Sequence, residues 1–429
     1  MRMTAFRFGL LAGLLCMVFG PAGCRRQRPR PPAPTTRAAS APVQSSAGRP
    51  GAGAEMPRTL PQAQTKAIDG EHLAKVQRMI NRGLGFLLSA RNDDGGWGFE
   101  PGKSHPALTA MAIKAFLQHP DYDIDSPVVR RAFACLMKFR QDDGGFYIPE
   151  EGNANYVTSV AVMALATARD PRQKQVLADA IKFLRRRQIV PGSRTPDGEL
   201  ITEDHPYVGG VSYGKHGRPD LSNVGMWMDA MHEAGVSGDD PAMQRALAFV
   251  KRLQNRTEGT AGQSFVVKGE DDGGFIYAVR RKGSTFVGES KALSGRRGLR
   301  SYGSMTYVGF KSMLYANVAR DDPRVQAAYE WIRKYWRLDS NPNMPEAQSR
   351  QGLFYYYHVF AKALRAWGQD IIPDARGVKH NWRHELIDVL HSQQRPDGSW
   401  VNTASRWMEA NPVLVTCYSL LALEEALKG

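Results

Sequence analysis

One loop and one apolar segment of the sequence carry residues that are well suited to acid–base chemistry. Asp204 and His205 are adjacent in the loop, directly after Glu203. A carboxyl group beside an imidazole can exchange protons with a substrate near neutral pH. We therefore expect Asp204 and His205 to be catalytic if their loop folds over a binding site. His358 is a third catalytic candidate, and the alternative for it is a core histidine with internal hydrogen bonds.

A second group of candidates is mainly aromatic and lies in segments with few charges. Aromatic side chains can line an apolar site, and their ring faces stabilise cations. We expect this group, with one carboxylate, to line a site for an isoprenoid or another lipid. The alternative is that the rings fill a core and their hydroxyls bond internally. The candidate lining residues are Trp227, Asp229, Tyr302, Tyr307, Tyr315, Tyr355, Tyr356 and Tyr357.

A third group is basic and lies in the long connection 255–303, where residues 280–300 have a net charge of +6. Such a loop can hold a diphosphate or a lipid head group, and a solvated surface loop is the alternative. The candidate anion-binding residues are Arg280, Arg281, Arg296, Arg297 and Arg300.

Repeated turns indicate the elements that position these groups. Four segments that begin at Arg91, Arg140, Gly269 and Gln394 align without gaps, and each ends in an aromatic residue. Glycine permits the backbone of a helix C-terminus, aspartate caps the next turn, and the aromatic packs between helices. We interpret the segments as structural turns, with the turn residues Asp94, Trp97, Asp143, Phe146, Asp272, Phe275, Gln394, Asp397 and Trp400.

Twelve predicted helices of two kinds alternate around these turns. The first helix of each pair is amphipathic and charged, over 71–90, 128–140, 172–187, 242–254, 324–336 and 381–394. The second is poor in charge, over 107–117, 157–168, 223–234, 305–318, 353–366 and 412–425. A helix that is apolar nearly all round belongs inside. The pattern predicts an all-α (α/α)6 barrel of six helix hairpins over 67–429, with the second helices inside.

The first 66 residues differ in composition from this barrel. Arg2 and Arg7 precede an apolar run, and small residues then lead to Cys24, which predicts a signal peptide over 1–24 with a lipobox-like end. Cys24 is the candidate lipidation site, and ordinary cleavage nearby is the alternative. Residues 25–66 are rich in Pro, Ala and Arg and predict a disordered tether. We expect an exported chain, either anchored to a membrane by its N-terminus or periplasmic.

Charge and cysteine content limit the possible partners. Of the net charge of +15, residues 1–66 hold +9, with ten basic residues and one acid, so the barrel is only mildly basic. Nucleic acid is therefore not an expected partner. Four cysteines exclude a disulfide scaffold. No Cys-x-x-Cys or His-Glu-x-x-His signature occurs, and we expect neither a metal nor another cofactor.

The repeated turns resemble the Gln-x-x-Asp-Gly-x-Trp motif of squalene–hopene and oxidosqualene cyclases. The same helical toroid recurs in protein prenyltransferase β subunits. Residues 394–400 match the whole motif, whereas the other copies have Arg91, Arg140 or Gly269 at the glutamine position. The resemblance covers 67–429 and is to the prenyltransferase/squalene oxidase repeat family. It implies a toroid fold, an isoprenoid ligand and, in an active member, isomerase or transferase chemistry.

The sequence departs from the catalytic motifs of that family. Class II cyclases protonate an alkene with an Asp-x-Asp-Asp acid, but Asp121, Asp123 and Asp125 only alternate along a loop. The zinc set of the prenyltransferases needs an Asp two residues before a Cys, and neither Cys135 nor Cys417 has one. Three interpretations stay open: a terpenoid-cyclase-like isoprenoid-binding barrel, a non-catalytic scaffold of the cell envelope, and a carbohydrate-active enzyme.

Overall fold

The structure is a computed structural model that describes residues 68–214, 217–257, 271–278, 289–291 and 297–428. These residues belong to the compact unit Thr59–Gly429. The predicted signal peptide, Cys24 and the tether lie outside the described residues. Within the described residues, no helix is both long and apolar enough to cross a membrane.

The described residues form twelve α-helices and four short strands. The odd-numbered helices are α1 Gly70–Ser89, α3 Pro127–Met137, α5 Lys174–Arg187, α7 Pro241–Arg252, α9 Pro323–Lys334 and α11 Trp382–Gln393. The even-numbered helices are α2 Pro106–Gln118, α4 Ala154–Ala168, α6 Leu221–Glu233, α8 Gly303–Tyr315, α10 Leu353–Trp367 and α12 Pro412–Leu427. The strands form two antiparallel pairs, β1 Glu289–Lys291 with β2 Arg297–Leu299, and β3 Ile371–Pro373 with β4 Lys379–Asn381.

The even-numbered helices form a closed inner ring. Each even-numbered helix packs against the next even-numbered helix, from α2 to α12, and α12 packs against α2. The odd-numbered helices lie outside this ring, and α1 contacts both α11 and α12. The predicted all-α toroid is therefore confirmed, and the contacts close it between the first and last helix pairs.

Burial distinguishes the two rings. Helix α12 has fifteen buried residues, from Val413 to Leu427, so it is inside on every face. Helix α5 buries only Ala180, Phe183 and Leu184 and exposes most of its charged side chains. This is the difference that the two kinds of sequence pattern predict.

Proline and capping side chains set the helix starts. Proline is the first residue of α2, α3, α7, α9 and α12, where its fixed φ and missing N–H do no harm. Just before three of these helices, Asp240, Asp322 and Asn411 accept a backbone N–H of the first turn. The predicted helix ends differ from the observed ones by three residues or fewer.

The four repeated turns share one hydrogen-bonding pattern. Each turn aspartate accepts the backbone N–H two residues later, at 2.9–3.0 Å. Each turn aromatic is fully buried, and its own N–H donates to a threonine hydroxyl of the following inner helix at 2.9–3.1 Å. The four threonines, which the sequence analysis did not single out, are Thr109, Thr158, Thr306 and Thr416. The turns therefore attach four of the six inner helices, α2, α4, α8 and α12, to the segments that precede them.

The glutamine of the motif occurs in more repeats than the ungapped alignment indicates. The Gln394 side chain donates to Met79 O on α1 and to Gly398 O in its own turn. Gln254 makes the same pair of bonds, to Gly273 O and to α9, and Gln188 bonds Gly209 O and α7. Insertions separate Gln188 and Gln254 from their turns. The glutamine that bonds the turn at Gly273 is therefore Gln254, and the alignment of Gly269 with the motif glutamine was wrong.

Candidate functional site in the barrel lumen

Four inner helices carry a charged residue at nearly the same position. Lys114, Asp229 and Lys311 are the ninth residues of α2, α6 and α8, and Lys362 is the tenth residue of α10. The inner helices run in the same direction, so these side chains lie at one depth in the lumen, towards the C-terminal ends of the helices. All four are buried.

These four residues and Glu233, at the end of α6, form a cluster of ion pairs that we call the lumenal ion cluster. Lys362 Nζ donates to Asp229 Oδ2 at 2.9 Å and to Glu233 Oε1 at 2.8 Å. Lys311 donates to the other oxygen of Asp229, and Lys114 donates to the other oxygen of Glu233. All four carboxylate oxygens thus have an ammonium partner, so neither Asp229 nor Glu233 is free to act as the acid or base of a carbohydrate-active enzyme.

The pKa shifts in the cluster follow the number of opposite charges around each group. Burial raises the pKa of Asp229, but Lys311 and Lys362 outweigh this effect and hold it below its ordinary value. Burial lowers the pKa of Lys362, but Asp229 and Glu233 raise it well above its ordinary value. Lys311 has one carboxylate and a nearby Lys362, so burial prevails and its pKa falls to about 8.

A small cavity lies beside the lumenal ion cluster, in the middle of the barrel. Its volume of about 10 Å³ is room for about one water molecule. His358 Nδ1 is buried without a hydrogen-bond partner among the described residues, and burial lowers the pKa of His358 to about 3. His358 is thus a neutral imidazole. The cavity is lined by Met111, Lys114, Tyr156, Val160, Met163, Met226, His358, Tyr418 and Leu421.

A buried carboxyl group lies at the N-terminal end of the inner ring. Asp220 precedes α6 and accepts hydrogen bonds from Asn223 N at 2.9 Å, Asn223 Nδ2 at 2.8 Å and Ser222 Oγ at 2.6 Å. Burial raises the pKa of Asp220 above its ordinary value despite these bonds. Sequence reasoning missed Asp220, although an aspartate before Leu-Ser-Asn at a helix start is a capping signal.

Tyrosines surround Asp220 and connect it with the cavity. Tyr213 and Tyr302 lie close enough for the Asp220 carboxylate to raise their pKa values, after burial itself. The Tyr213 ring stacks on Tyr156 with centroids 6.4 Å apart, and the Tyr156 hydroxyl meets that of Tyr418 at 2.8 Å. We call Asp220 and these four tyrosines the mouth cluster.

The predicted catalytic residues do not form one site in the described residues. Asp204 is exposed and accepts from Thr202 Oγ1 at 2.6 Å within its own loop. His205 Nδ1 accepts the Tyr207 N–H at 3.1 Å, and the two rings pack edge to face. His358 lines the cavity instead, with its ring 5.8 Å from that of Tyr418.

Several predicted lining residues point away from the cavity. The indole of Trp227 donates to Leu184 O on α5 at 2.9 Å. The hydroxyls of Tyr356 and Tyr357 donate to the carbonyls of residues 337 and 338, after α9, at 2.8 and 2.6 Å. Tyr307 packs edge to face against Tyr356, with centroids 5.5 Å apart. These four rings fill the space between the two helix layers, which is the core alternative of the sequence analysis.

The other predicted lining residues are nearer the lumen. Tyr302 belongs to the mouth cluster, and Tyr355 packs edge to face on Tyr418 with centroids 5.9 Å apart. Tyr315 stacks on His232 with centroids 3.8 Å apart, and Lys311 Nζ lies 5.7 Å from its ring centre. Asp229 belongs to the lumenal ion cluster.

The structure describes only one side chain of the predicted anion-binding group. Arg280, Arg281 and Arg296 lie outside the described residues, and only the backbone of Arg297, in β2, is described. Arg300 Nη1 donates to Asn343 O at 2.9 Å and so connects its loop with the segment before α10. Anion binding by this group stays a prediction.

Comparisons with known proteins agree with the architecture. No protein-family model matches the chain. A variant of the type II terpene cyclase MstE from Scytonema, solved with its substrate geranylgeranyl dihydroxybenzoate, has a TM-score of 0.52 and 15% identity, covering 83% of this chain and 99% of that one. The chain has the fold of a type II terpene cyclase. The predicted resemblance is thereby confirmed at the level of fold.

Two further proteins are similar to this chain. A protein from Actinoplanes has a TM-score of 0.47 and 16% identity, covering 82% of this chain and 99% of that one. Among curated proteins, drimenyl diphosphate synthase from Streptomyces showdoensis is 29% identical over 108 residues. That match spans 25% of this chain and only 20% of the synthase.

Proposed function

We propose that this chain is a terpenoid-cyclase-like protein that binds an isoprenoid or a similar apolar chain in the lumen, towards the N-terminal ends of the inner helices. Asp220 is the proton donor in this proposal. The observation that carries the proposal is the buried carboxyl of Asp220, which lies near Tyr213, whose ring stacks on the cavity residue Tyr156. Burial raises the pKa of Asp220, and the protonated acid is the form that can protonate an alkene. The terpene-cyclase fold and the similarity to MstE and to drimenyl diphosphate synthase support the substrate class.

The chemistry of the proposed step is a single proton transfer. The O–H bond of protonated Asp220 breaks as a C–H bond forms on the alkene, which leaves a carboxylate and a carbocation. The tyrosine rings of the mouth cluster then stabilise the cation through their faces. The carboxylate recovers its proton when the final cation loses one, so the acid is regenerated.

Space for such a ligand requires movement of side chains at the cavity. Met111, Met163 and Met226 line it, and methionine side chains are unbranched and adapt their shape readily. The lumenal ion cluster lies on the C-terminal side of the lumen, where side chains from α2, α6, α8 and α10 meet. The proposed ligand therefore occupies the half of the lumen between the cavity and the mouth cluster.

A second candidate function is a non-catalytic scaffold. The observation that favours it is the small cavity, since space for about one water molecule cannot hold an isoprenoid chain unless the side chains around it rearrange. In this case the barrel is a filled core and its outer surface carries the function.

Substrate binding and conversion by wild type and by D220N distinguish the cyclase-like function from the scaffold function. The full-length protein is incubated with squalene and with prenyl diphosphates, and bound and converted products are identified by mass spectrometry. We expect wild type to convert a substrate, and D220N to bind it without conversion. D240N is the matched control, because Asp240 caps α7 of the outer ring as Asp220 caps α6. Conversion that persists in D220N excludes Asp220 as the donor, and a wild type that neither binds nor converts any substrate favours the scaffold.

We also propose that the chain is exported and anchored through a lipid on Cys24. The support is the arrangement of Arg2, Arg7, the apolar run and the small residues before Cys24. Radiolabelled palmitate added to expressing bacteria should enter the wild type and the C16S variant but not C24S. Label in C24S, or no label in wild type, contradicts the anchor.

A further inference from the structure

We propose that residues 401–411, which we call the mouth strap, are a lid over the N-terminal end of the lumen that the buried carboxylate of Glu409 holds shut. The mouth strap follows the turn that ends at Trp400 and leads into α12. The inference rests on the proposed function only for what the lid admits, the lumenal ligand, because the opening itself is measured without ligand.

Glu409 joins the mouth strap to the first turn of α10. Its side chain is buried, and its Oε1 accepts the Tyr355 N–H at 2.8 Å. Burial raises the pKa of Glu409 to about 7, although the N–H groups of Leu353 and Phe354 are near enough to oppose the rise. Gly352, directly before α10, has no side chain to cap the helix. Glu409 therefore supplies the cap of α10 from a different segment of the chain.

The two ends of the mouth strap are hydrogen-bonded to each other. The Asn402 N–H donates to Glu409 O at 2.9 Å, and the Asn402 side chain donates to Glu409 Oε2 at 2.6 Å. Asn402 Nδ2 also donates to Arg350 O at 2.7 Å, and Asn411 Nδ2 donates to Phe99 O at 3.1 Å. A loop with such a closed neck is a compact unit, so the residues between the two ends can move together.

The backbone of the mouth strap is strained at its exposed turn. Trp407 and Met408 are consecutive non-glycine residues with φ values of 57° and 65°, and left-handed backbone is unfavourable for residues with a side chain. Their side chains are 45% and 37% exposed, so burial of apolar surface offsets only part of this strain. The strain favours opening, and the bonds of the Glu409 carboxylate oppose it.

The mouth strap lies beside the mouth cluster. A Cβ atom added to Gly352 would lie 3.0 Å from two ring carbons of Trp407, so the indole covers the start of α10. Burial raises the pKa of Tyr302, a member of the mouth cluster, and Arg406 is near enough to oppose the rise. Displacement of the mouth strap therefore uncovers the end of the lumen where the proposed ligand lies.

Hydrogen exchange of the full-length protein, measured by mass spectrometry of peptides that cover 353–357, tests the lid without ligand. Opening frees the Tyr355 N–H, so we expect its exchange to need only local opening and not global unfolding. E409A should speed this exchange by about tenfold or more, since loss of a hydrogen bond to a charged group shifts an equilibrium by that factor. M408N should slow it, because asparagine tolerates left-handed backbone and so relieves the strain of the closed mouth strap.

A control at the same end of the barrel shows whether the effect is local. Glu151 is a partly buried carboxylate that binds His105 Nε2 at 2.8 Å and Asn153 Nδ2 at 3.0 Å, at the starts of α2 and α4. E151A should leave the exchange of 353–357 unchanged. Equal exchange in wild type, E409A and M408N, or exchange that rises equally in every peptide of E409A, overturns the lid. If E409A does not fold, M408N alone decides, and exchange no slower than in wild type overturns the lid.

Stopped-flow binding of cis-parinaric acid, a fluorescent apolar chain, relates the lid to the ligand. E409A should bind this probe faster than wild type and M408N more slowly, because association waits for the mouth strap to open. Equal association rates in the three proteins overturn the mouth strap as the entrance. A probe that binds none of them contradicts the lumenal ligand site but not the lid, which the exchange measurement decides independently.

Discussion

The two ends of the lumen each bury a carboxylate, yet Asp220 at the mouth and Asp229 in the lumenal ion cluster shift in opposite directions. The pKa of Asp220 is raised, because burial outweighs the hydrogen bonds from Ser222 and Asn223 and the charge of Arg218. The pKa of Asp229 is lowered, because Lys311 and Lys362 both contact it. Burial raises the pKa of both carboxylates, and this effect is outweighed at Asp229, where two ammonium groups are in contact, but not at Asp220.

The same contrast occurs between two adjacent residues of α12. Glu425 pairs with Arg365 Nη1 at 2.9 Å and with Lys428 Nζ at 2.7 Å, and these cations hold its pKa below the ordinary value. Burial raises the pKa of its neighbour Glu424 to about 8. Adjacent carboxyl groups of one helix thus serve as an ion-pair partner and as a neutral acid.

The largest effect is expected from K362M. This substitution leaves Asp229 and Glu233 each with one ammonium partner in a buried site, and breaking a buried ion pair costs about 3–5 kcal/mol. Urea unfolding of the full-length protein measures the loss. The control is K182M, an exposed lysine of α5, which should change stability by less than about 0.5 kcal/mol. If K362M lowers the free energy of unfolding by less than about 1 kcal/mol, the lumenal ion cluster contributes no more stability than exposed ion pairs do.

The adjacent glutamates should respond to pH in opposite ways. The folded-state pKa of Glu424, about 8, exceeds the ordinary 4.5, so ionisation costs stability as pH rises from 4.5 to 8 and the cost is constant above 8. E424Q removes that decline and should stabilise the protein at pH 7, by up to about 3 kcal/mol. Urea unfolding between pH 4 and pH 9 measures both effects.

E425Q is the counterpart in the same pH series. The pKa of Glu425 is lowered, so its contribution is present above pH 4.5 and is lost as pH falls. E425Q should therefore destabilise the protein at pH 7, by about 1–3 kcal/mol, and have little effect at acid pH. Parallel pH profiles for the two variants would contradict the assignment of different partners.

A smaller effect is expected at a repeated turn. T306V removes the hydroxyl that accepts the Phe275 N–H at 3.1 Å, and an unsatisfied buried donor costs about 1–3 kcal/mol. T403V, at an exposed threonine, is the control and should be neutral in the same unfolding assay. If both variants behave alike, the turns do not depend on the threonine bond.

The smallest effect is expected at an exposed ion pair. Arg337 and Asp339 are 52% and 70% exposed, so R337Q should cost less than about 1 kcal/mol, and 0.5 M salt should abolish the difference. The loss in K362M should persist in that salt, because buried charges are screened less. A salt-sensitive K362M would instead indicate that water enters the lumenal ion cluster.

The sequence predicts the barrel well because its signals are local. Helical periodicity and the turn aromatics each act over a few residues. The switch between charged and apolar helices indicates which ring each helix joins. These signals suffice for helix bounds and for the all-α fold class.

The candidate site is predicted poorly because its contacts cross the barrel. Lys114 contacts Glu233 over 119 residues and Lys362 contacts Asp229 over 133, so no motif contains both partners. The sequence pattern that could have indicated the site is a charged residue at the ninth or tenth position of four otherwise apolar helices. Gln188 and Gln254 were missed for a different reason, because insertions separate them from the turns that they bond.

Closure of the ring changes how the repeats share their stability. In an open stack of repeats the terminal units fray first, because each has only one neighbour. Here α12 contacts α2 and α1 contacts α11, so every helix pair has two neighbours. Unfolding therefore has no preferred end. It must begin with the separation of two helix pairs that are each packed on both sides. The closed barrel should melt as one cooperative unit, although its sequence is a set of repeats.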